Sequence, residues 1–276
     1  MRTTLACCAA LLVSGQATAQ VAECAAEWGL DSITTLMVEE MIQARLPEVQ
    51  AQRAAGGGGP IFRIPVVFHI IHMGAGTPSN IPDLQVLDQL DHLNDEFRDN
   101  LDGFGDIPQI EFCLAQNTWD GQPWSAYNAV TPGITRWEDP IASAGNTMTV
   151  AEMFELVNVV QFPPDNYFNV WIVNEVGGDG VGGVGGYATF PTAQAPLDGV
   201  VIESAWITAP PFIQGDLLIH ETGHYLSLFH VFGNCLGAND QCLDTPPSPA
   251  PNLTATVGAP CQDNDGDCGV PEALDN

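Results

Sequence analysis

His220, Glu221 and His224, with His230 six positions further on, are the side chains that could hold a divalent metal and move a proton beside it. On a helix turning about 100° per residue, His220 and His224 lie about 40° apart, one turn above each other. Glu221 points about 100° away from His220, beside the metal and not onto it. Tyr225, Leu218, Thr222, Leu226 and Ile219 fall on the opposite side, so the helix buries one face and turns the other to a cleft. Continued helix would swing His230 by roughly 240° from His224 and carry it about 9 Å along the axis. The third imidazole therefore joins the first two only if the helix stops near Ser227 and the chain turns back. Three histidines then leave a fourth position for water, the arrangement of a catalytic zinc site and not of a closed structural one. The alternative is two helix-surface histidines with an unrelated third downstream.

The chain that must position them has 276 residues, enough for one large domain. Arg2, the apolar run Leu5 to Val13 and Ala17-Thr18-Ala19 read as a signal peptide over residues 1–19. That run is too short to span a bilayer, so the expectation is an exported protein with no membrane span. The formal net charge is −28, with six arginines and no lysine. Binding nucleic acid requires clustered cations, so nucleic acid is excluded as a partner. Beyond the signal peptide stand Cys24, Cys113, Cys235, Cys242, Cys261 and Cys268. The last four crowd a segment poor in apolar residues, which reads as disulfide-stapled, with a zinc knuckle as the alternative.

Residues 20–60 read as a pro-region that ends in the flexible linker Gly56-Gly57-Gly58-Gly59-Pro60. A buried strand is expected over 62–72, whose His69 and His72 point to opposite faces and read as structural. Helices are expected over 83–100 and 148–160, and strands over 110–115, 167–174, 186–190 and 199–203, before the histidine helix begins near Phe212. Alternating strands and helices imply a mixed sheet with helices packed on it. Gly178-Asp179-Gly180-Val181-Gly182-Gly183 matches a dinucleotide fingerprint, but strand or turn residues follow where a phosphate-binding helix is required, so that reading is rejected.

Several short passages occur in one order: Ile64-Pro65-Val66-Val67-Phe68-His69, Leu93-Asn94-Asp95-Glu96-Phe97-Arg98, Ile110-Glu111-Phe112-Cys113-Leu114-Ala115, Gly133-Ile134-Thr135-Arg136, Gly186-Tyr187-Ala188-Thr189-Phe190-Pro191, Asp198-Gly199-Val200-Val201-Ile202, the histidine motif, and Asp244-Thr245-Pro246. Together they resemble the metzincin zinc peptidases, and within them the pappalysin/cytophagalysin group, over roughly residues 61–276. The resemblance implies an α/β (α+β) catalytic domain: a five-stranded mixed sheet with one antiparallel edge strand, a backing helix, an active-site helix and a small C-terminal subdomain. It implies a secreted endopeptidase acting on protein or peptide, with Zn2+ on His220, His224 and His230 and Glu221 as general base and acid. It also implies an edge strand at Tyr187, Ala188 and Thr189 that pairs with extended substrate.

Two departures from the family pattern stand out. Ser227 occupies the place of a usual glycine. The family's methionine beneath the zinc has no counterpart, since the last methionine is Met153. The expectation is a sequence truncated shortly before that turn, with residues 61–230 as the N-terminal catalytic subdomain and 231–276 as a partial, disulfide-rich C-terminal one. Cys24 falls where related pro-regions carry a cysteine that caps the zinc, although Ala25-Ala26 follows it in place of glycine. Disulfide pairing among the last four cysteines stays open. Calcium is a second expected ion: Asp263, Asp265 and Asp267 flank a glycine as in the start of a calcium loop, with an acidic solvated loop as the alternative because Leu274 stands where such a loop carries its glutamate. The resemblance implies a second site at Asp240, Asp244 and Thr245. The rival to a zinc endopeptidase is a non-catalytic, exported zinc- and calcium-binding interaction module, or an inactive truncated peptidase.

Overall fold

The computed structural model describes residues 62–97, 110–144, 149–178, 184–190, 197–207 and 216–230, with Glu23, Cys24 and a few helical positions between 40 and 51. The expected signal peptide, the glycine linker, the calcium-site residues Asp240, Asp244, Thr245, Asp263, Asp265 and Asp267, and Cys235, Cys242, Cys261 and Cys268 lie outside the described residues.

One sheet organises what is described. Its strands are β1 (Glu23–Cys24), β2 (Phe62–His72), β3 (Ile110–Leu114), β4 (Ile134–Glu138), β5 (Phe168–Val173), β6 (Val184–Ala188) and β7 (Gly199–Glu203). The order is β1-β6-β7-β5-β2-β3, and β4 also pairs with β2. Neighbours run parallel except β6, which is antiparallel to β7. The five strands β6-β7-β5-β2-β3 are the expected mixed sheet with an antiparallel edge. Two short strands extend it. β4 takes over the edge of β2 where β3 leaves it, pairing with Phe68 to His72 after β3 has paired with Phe62 to Val66. β1 adds to the outer side of β6.

β2 and β5 are buried throughout most of their length, as parallel strands covered on both faces must be. The even-numbered side of β2 (Val66, Phe68 and Ile70) meets the backing helix Asp83–Phe97 through Val86, Leu90 and Leu93, and the active-site helix Asp216–Tyr225 through Leu217 and Leu218. Asn94 clips the backing helix to β3: its side-chain amide donates to the Phe112 carbonyl, and its oxygen accepts from the Phe112 N–H, both at 2.8 Å. Arg136 on β4 donates to Asn80 Oδ1 and the Ile81 carbonyl, each at 2.7 Å, and pairs with Asp83 at the start of that helix.

The odd-numbered side is covered by two helices, Pro140–Ala144 and Val150–Val159, and by a 3-10 turn, Trp124–Tyr127. Val150–Val159 starts with a reciprocal cap. The Thr149 hydroxyl accepts from the Glu152 N–H, and the Glu152 carboxylate accepts from the Thr149 N–H. The short helices 140–144 and 204–207 escape a reading by periodicity because each is about one turn long, and strand β4 because its sequence, Ile134-Thr135-Arg136-Trp137-Glu138, holds no apolar run.

His69 lies on this odd side, fully buried against Phe162 and Trp171. Its Nε2 donates to Asn169 Oδ1 at 3.0 Å, and its Nδ1 accepts from the Thr135 hydroxyl at 2.9 Å. The pattern suits a neutral ring, and burial lowers its pKa to about 4. With the folded value depressed, the unfolded chain takes up the proton first. Stability is therefore full above the unfolded value near 6.5 and is lost as pH falls towards 4. Urea unfolding at pH 7, 6 and 5 should show His69→Gln losing less stability across that range than the unsubstituted chain, a difference of roughly 2 kcal/mol at about 1.4 kcal/mol per pH unit.

Candidate active site

The active-site helix lies on β6 and β7, and its back face is apolar as the spacing of Leu218, Thr222, Tyr225 and Leu226 requires. Leu218 and Thr222 are fully buried, and the Tyr225 ring stacks on Phe168 with centroids 4.3 Å apart. The Thr222 hydroxyl donates to the Leu218 carbonyl at 2.7 Å, so this buried polar group is satisfied within the helix.

The helix ends where the third histidine demands. Ser227 takes a left-handed backbone, φ 78°. Its N–H donates to the His224 carbonyl, and the Leu228 N–H donates to the Gly223 carbonyl, both at 2.9 Å. These two bonds form a Schellman cap with serine at the position usually held by glycine. The strain of a non-glycine residue there is on the order of 1 kcal/mol. Burying Leu217 and Leu218 contributes roughly 1.5–3 kcal/mol each, so the packed face easily outweighs it.

Past the cap the chain reverses, and His230 faces the other two rings. The His220 and His230 Nε2 atoms are 3.0 Å apart, and His224 Nε2 is 3.1 Å from each. Among the described residues these three form the one group able to share a metal ion. His224 Nδ1 donates to the Leu228 carbonyl at 2.6 Å, which leaves its Nε2 lone pair facing the centre. The residue after the turn thus fixes the tautomer of the ligand before it. Nitrogens held about 2.0–2.1 Å from a tetrahedral zinc stand about 3.3 Å apart, and the triangle fits that spacing within a few tenths of an ångström. Three nitrogens fill three corners and leave the fourth for a reactant.

Glu221 is fully buried, and its Cγ lies close to Gly186 on β6. A Cβ placed on Gly186 would sit 3.4 Å from Glu221 Cγ, 2.7 Å from Ile202 Cδ1 and 2.8 Å from the Val201 carbonyl. Glycine at 186 is thus what lets the edge strand and this carboxylate lie side by side. Phe190, just past β6, packs on His224 (5.6 Å) and Phe229 (4.9 Å), walling the metal triangle with aromatic surface. Of the expected edge residues, Tyr187 and Ala188 lie on β6. Thr189 follows, its hydroxyl accepting from the Gly199 N–H at 3.0 Å. Phe190, Phe229 and Gly186 were not singled out for the site from the sequence, because aromatic walls and backbone clearance leave no spacing signature.

The cap makes a sharp expectation. Ser227→Gly should raise the unfolding midpoint, worth on the order of 1 kcal/mol, and leave zinc stoichiometry unchanged, whereas Ser227→Val should lower both. Thermal unfolding with metal analysis measures the two effects.

A family profile for pregnancy-associated plasma protein-A, the M43 peptidases, matches residues 155–266. An extracellular metalloprotease 1 of Coccidioides posadasii (strain C735) is 38% identical over 88 residues, covering 28% of this chain and 32% of the relative. That stretch is about a third of the relative's length. An extracellular metalloprotease of Colletotrichum graminicola (strain M1.001 / M2 / FGSC 10212) is 25% identical over 273 residues, 94% of this chain and 84% of the relative. Among solved structures, Tannerella forsythia mature mirolysin in complex with a cleaved peptide superposes with a TM-score of 0.56 at 28% identity, over 70% of this chain and 74% of that one. The sheet with its antiparallel edge, the triangle of histidines and these likenesses agree: over the segment that carries the histidines the chain is similar to the M43, pappalysin-like metallopeptidases.

Proposed function

We propose that this chain is an exported zinc endopeptidase in which His220, His224 and His230 hold the ion and Glu221 moves the proton. The observation that carries the reading is the convergence of three Nε2 atoms within 3.1 Å, beside a buried glutamate one residue along the same helix. His220, His224 and His230 would hold the zinc ion, which when bound would supply Lewis acidity to a water and to the scissile carbonyl. Glu221 accepts the proton of the attacking water and returns it to the leaving amine. A substrate in extended form pairs with the outer side of β6 along Tyr187, Ala188 and Thr189, which lays its backbone past Gly186 and Glu221. A metal-dependent interaction module would need neither an open fourth position nor a carboxylate beside it. Export rests on the extracellular relatives together with the N-terminal apolar run. Calcium on Asp240, Asp244 and Thr245, or on Asp263, Asp265 and Asp267, belongs to the same proposal, with stabilisation as its role.

Cys24 fits a latent form. β1 pairs parallel with β6, setting Glu23 opposite Val184 and Cys24 opposite Gly186. Residue 24 therefore lies across from the glycine that abuts Glu221, on the side of β6 that a substrate strand would use. β1 covers the Val184 to Gly186 end of that edge, next to the stretch from Tyr187 to Thr189 that a substrate strand would use.

Glu221→Gln should keep one zinc per chain while kcat on a quenched fluorescent peptide falls about 10²–10⁴-fold. Full activity in that variant refutes the role. The full chain should be nearly inactive until cut at Gly56–Gly59, and Cys24→Ser should raise its activity before cutting. A time course of peptide cleavage with and without limited proteolysis reads both.

A further inference from the structure

On the face of the sheet away from the active-site helix, the loop after β3 and the approach to β5 border an open cavity of about 360 Å³. Its walls include Gln116, Asn117, Thr118, Trp119, Asn166 and Tyr167. None of the residues lining it carries a charge, in a chain whose formal net charge is −28. Trp119 is 55% exposed at the rim, an unusual position for the largest apolar side chain.

That exposure is built and not slack. The turn that carries Trp119 closes on itself: Asp120 Oδ1 accepts from the Gln122 N–H at 3.1 Å, and the Thr118 hydroxyl donates to the Gln122 carbonyl. The loop behind it is tied down at each step. Trp124 Nε1 donates to the Gln116 carbonyl at 2.9 Å, and the Tyr167 hydroxyl donates to the Asn117 carbonyl at 3.0 Å. Gln116 Nε2 donates to the Leu114 carbonyl at 3.0 Å. Below, Phe162 stacks on Trp124 and meets Tyr127 and Tyr167, a packed aromatic floor. The indole face is thus presented, already ordered, next to the exposed side-chain amides of Asn117 and Asn166, each with donors and an acceptor.

We propose that this cavity binds a neutral pyranoside, a sugar unit of an uncharged glycan, and serves as a docking site apart from the catalytic centre. An aromatic face carries partial negative charge, which attracts the polarised C–H bonds on one side of a pyranose. The amides match the ring hydroxyls, and a cavity of this volume falls in the range used for small ligands. The net negative charge of the chain disfavours sulfated or uronic sugars, and the lining residues themselves supply no carboxylate to pair with a cationic one. The site rests on its own residues and stands whether or not the peptidase reading does.

Isothermal titration of the full chain with cellohexaose, maltohexaose, mannohexaose and chitohexaose tests this. At least one should bind with a millimolar dissociation constant and quench tryptophan fluorescence. Trp119→Ala should weaken that binding at least about tenfold while Glu221→Gln binds as before. Should Trp119→Ala not fold, Asn166→Ala at an exposed amide gives the same readout. Failure of all four sugars, binding of decaproline in their place, or unchanged affinity in the folded Trp119 or Asn166 variant overturns the proposal.

Discussion

A single backbone reversal at Ser227 holds the centre together. Without it, His230 would continue along the helix axis and two imidazoles alone would face the cleft. The reversal is enforced locally, by two hydrogen bonds that close onto His224 and Gly223. It is enforced a second time through His224, whose Nδ1 binds the carbonyl of Leu228 just past the turn. Cap and ligand orientation are therefore one structure. Any change that loosens the turn also frees the ring that should point at the ion.

The cap would count for little if the helix could slide. Its back face is fastened to the sheet by Leu217, Leu218 and the Tyr225–Phe168 stack, and its front carboxylate is fitted against glycine 186 with no room for a methyl group. The sheet is held on the other side by a different chemistry. His69, Asn169, Thr135 and the Phe162 backbone form a closed set of hydrogen bonds between β2, β4, β5 and the approach to β5. Fully satisfied networks of this kind specify register, since shifting one strand leaves several buried groups unpaired. The catalytic face thus relies on apolar packing and the opposite face on polar specification.

Much of this was legible in the sequence, and the reason differs by residue. The strand over 62–72 and the helix from Asp83 announce themselves by long apolar runs with regular spacing. The requirement for a turn at Ser227 follows from helix geometry alone, because six residues cannot return a side chain to the same face. His69 and His72 read as structural from their odd separation. Other features were not legible. β4 is five residues long and owes its place to Arg136 reaching Asn80, Ile81 and Asp83, contacts distant in sequence. Trp119 carries no sequence mark that separates it from a core tryptophan. Only the structure shows its ring at the surface, 55% exposed beside the closed turn from Thr118 to Gln122.

The edge strand β6 concentrates the remaining logic. β7 takes one of its sides for the sheet, leaving a single row of backbone groups for any extended partner. Unpaired edges recruit strands readily, which in most proteins is a hazard to be covered. Here the proposed substrate and the N-terminal segment need the same row, and β1 already sits on it opposite Val184 and Gly186. Two residues of pairing hold weakly by themselves, so a segment tethered to the domain gains from proximity what it lacks in contacts. Cutting the tether removes that advantage, and a longer substrate strand then wins the edge. On the reading proposed above, latency and substrate choice are outcomes of one competition for that edge, decided by whether the segment carrying residue 24 stays joined to the domain.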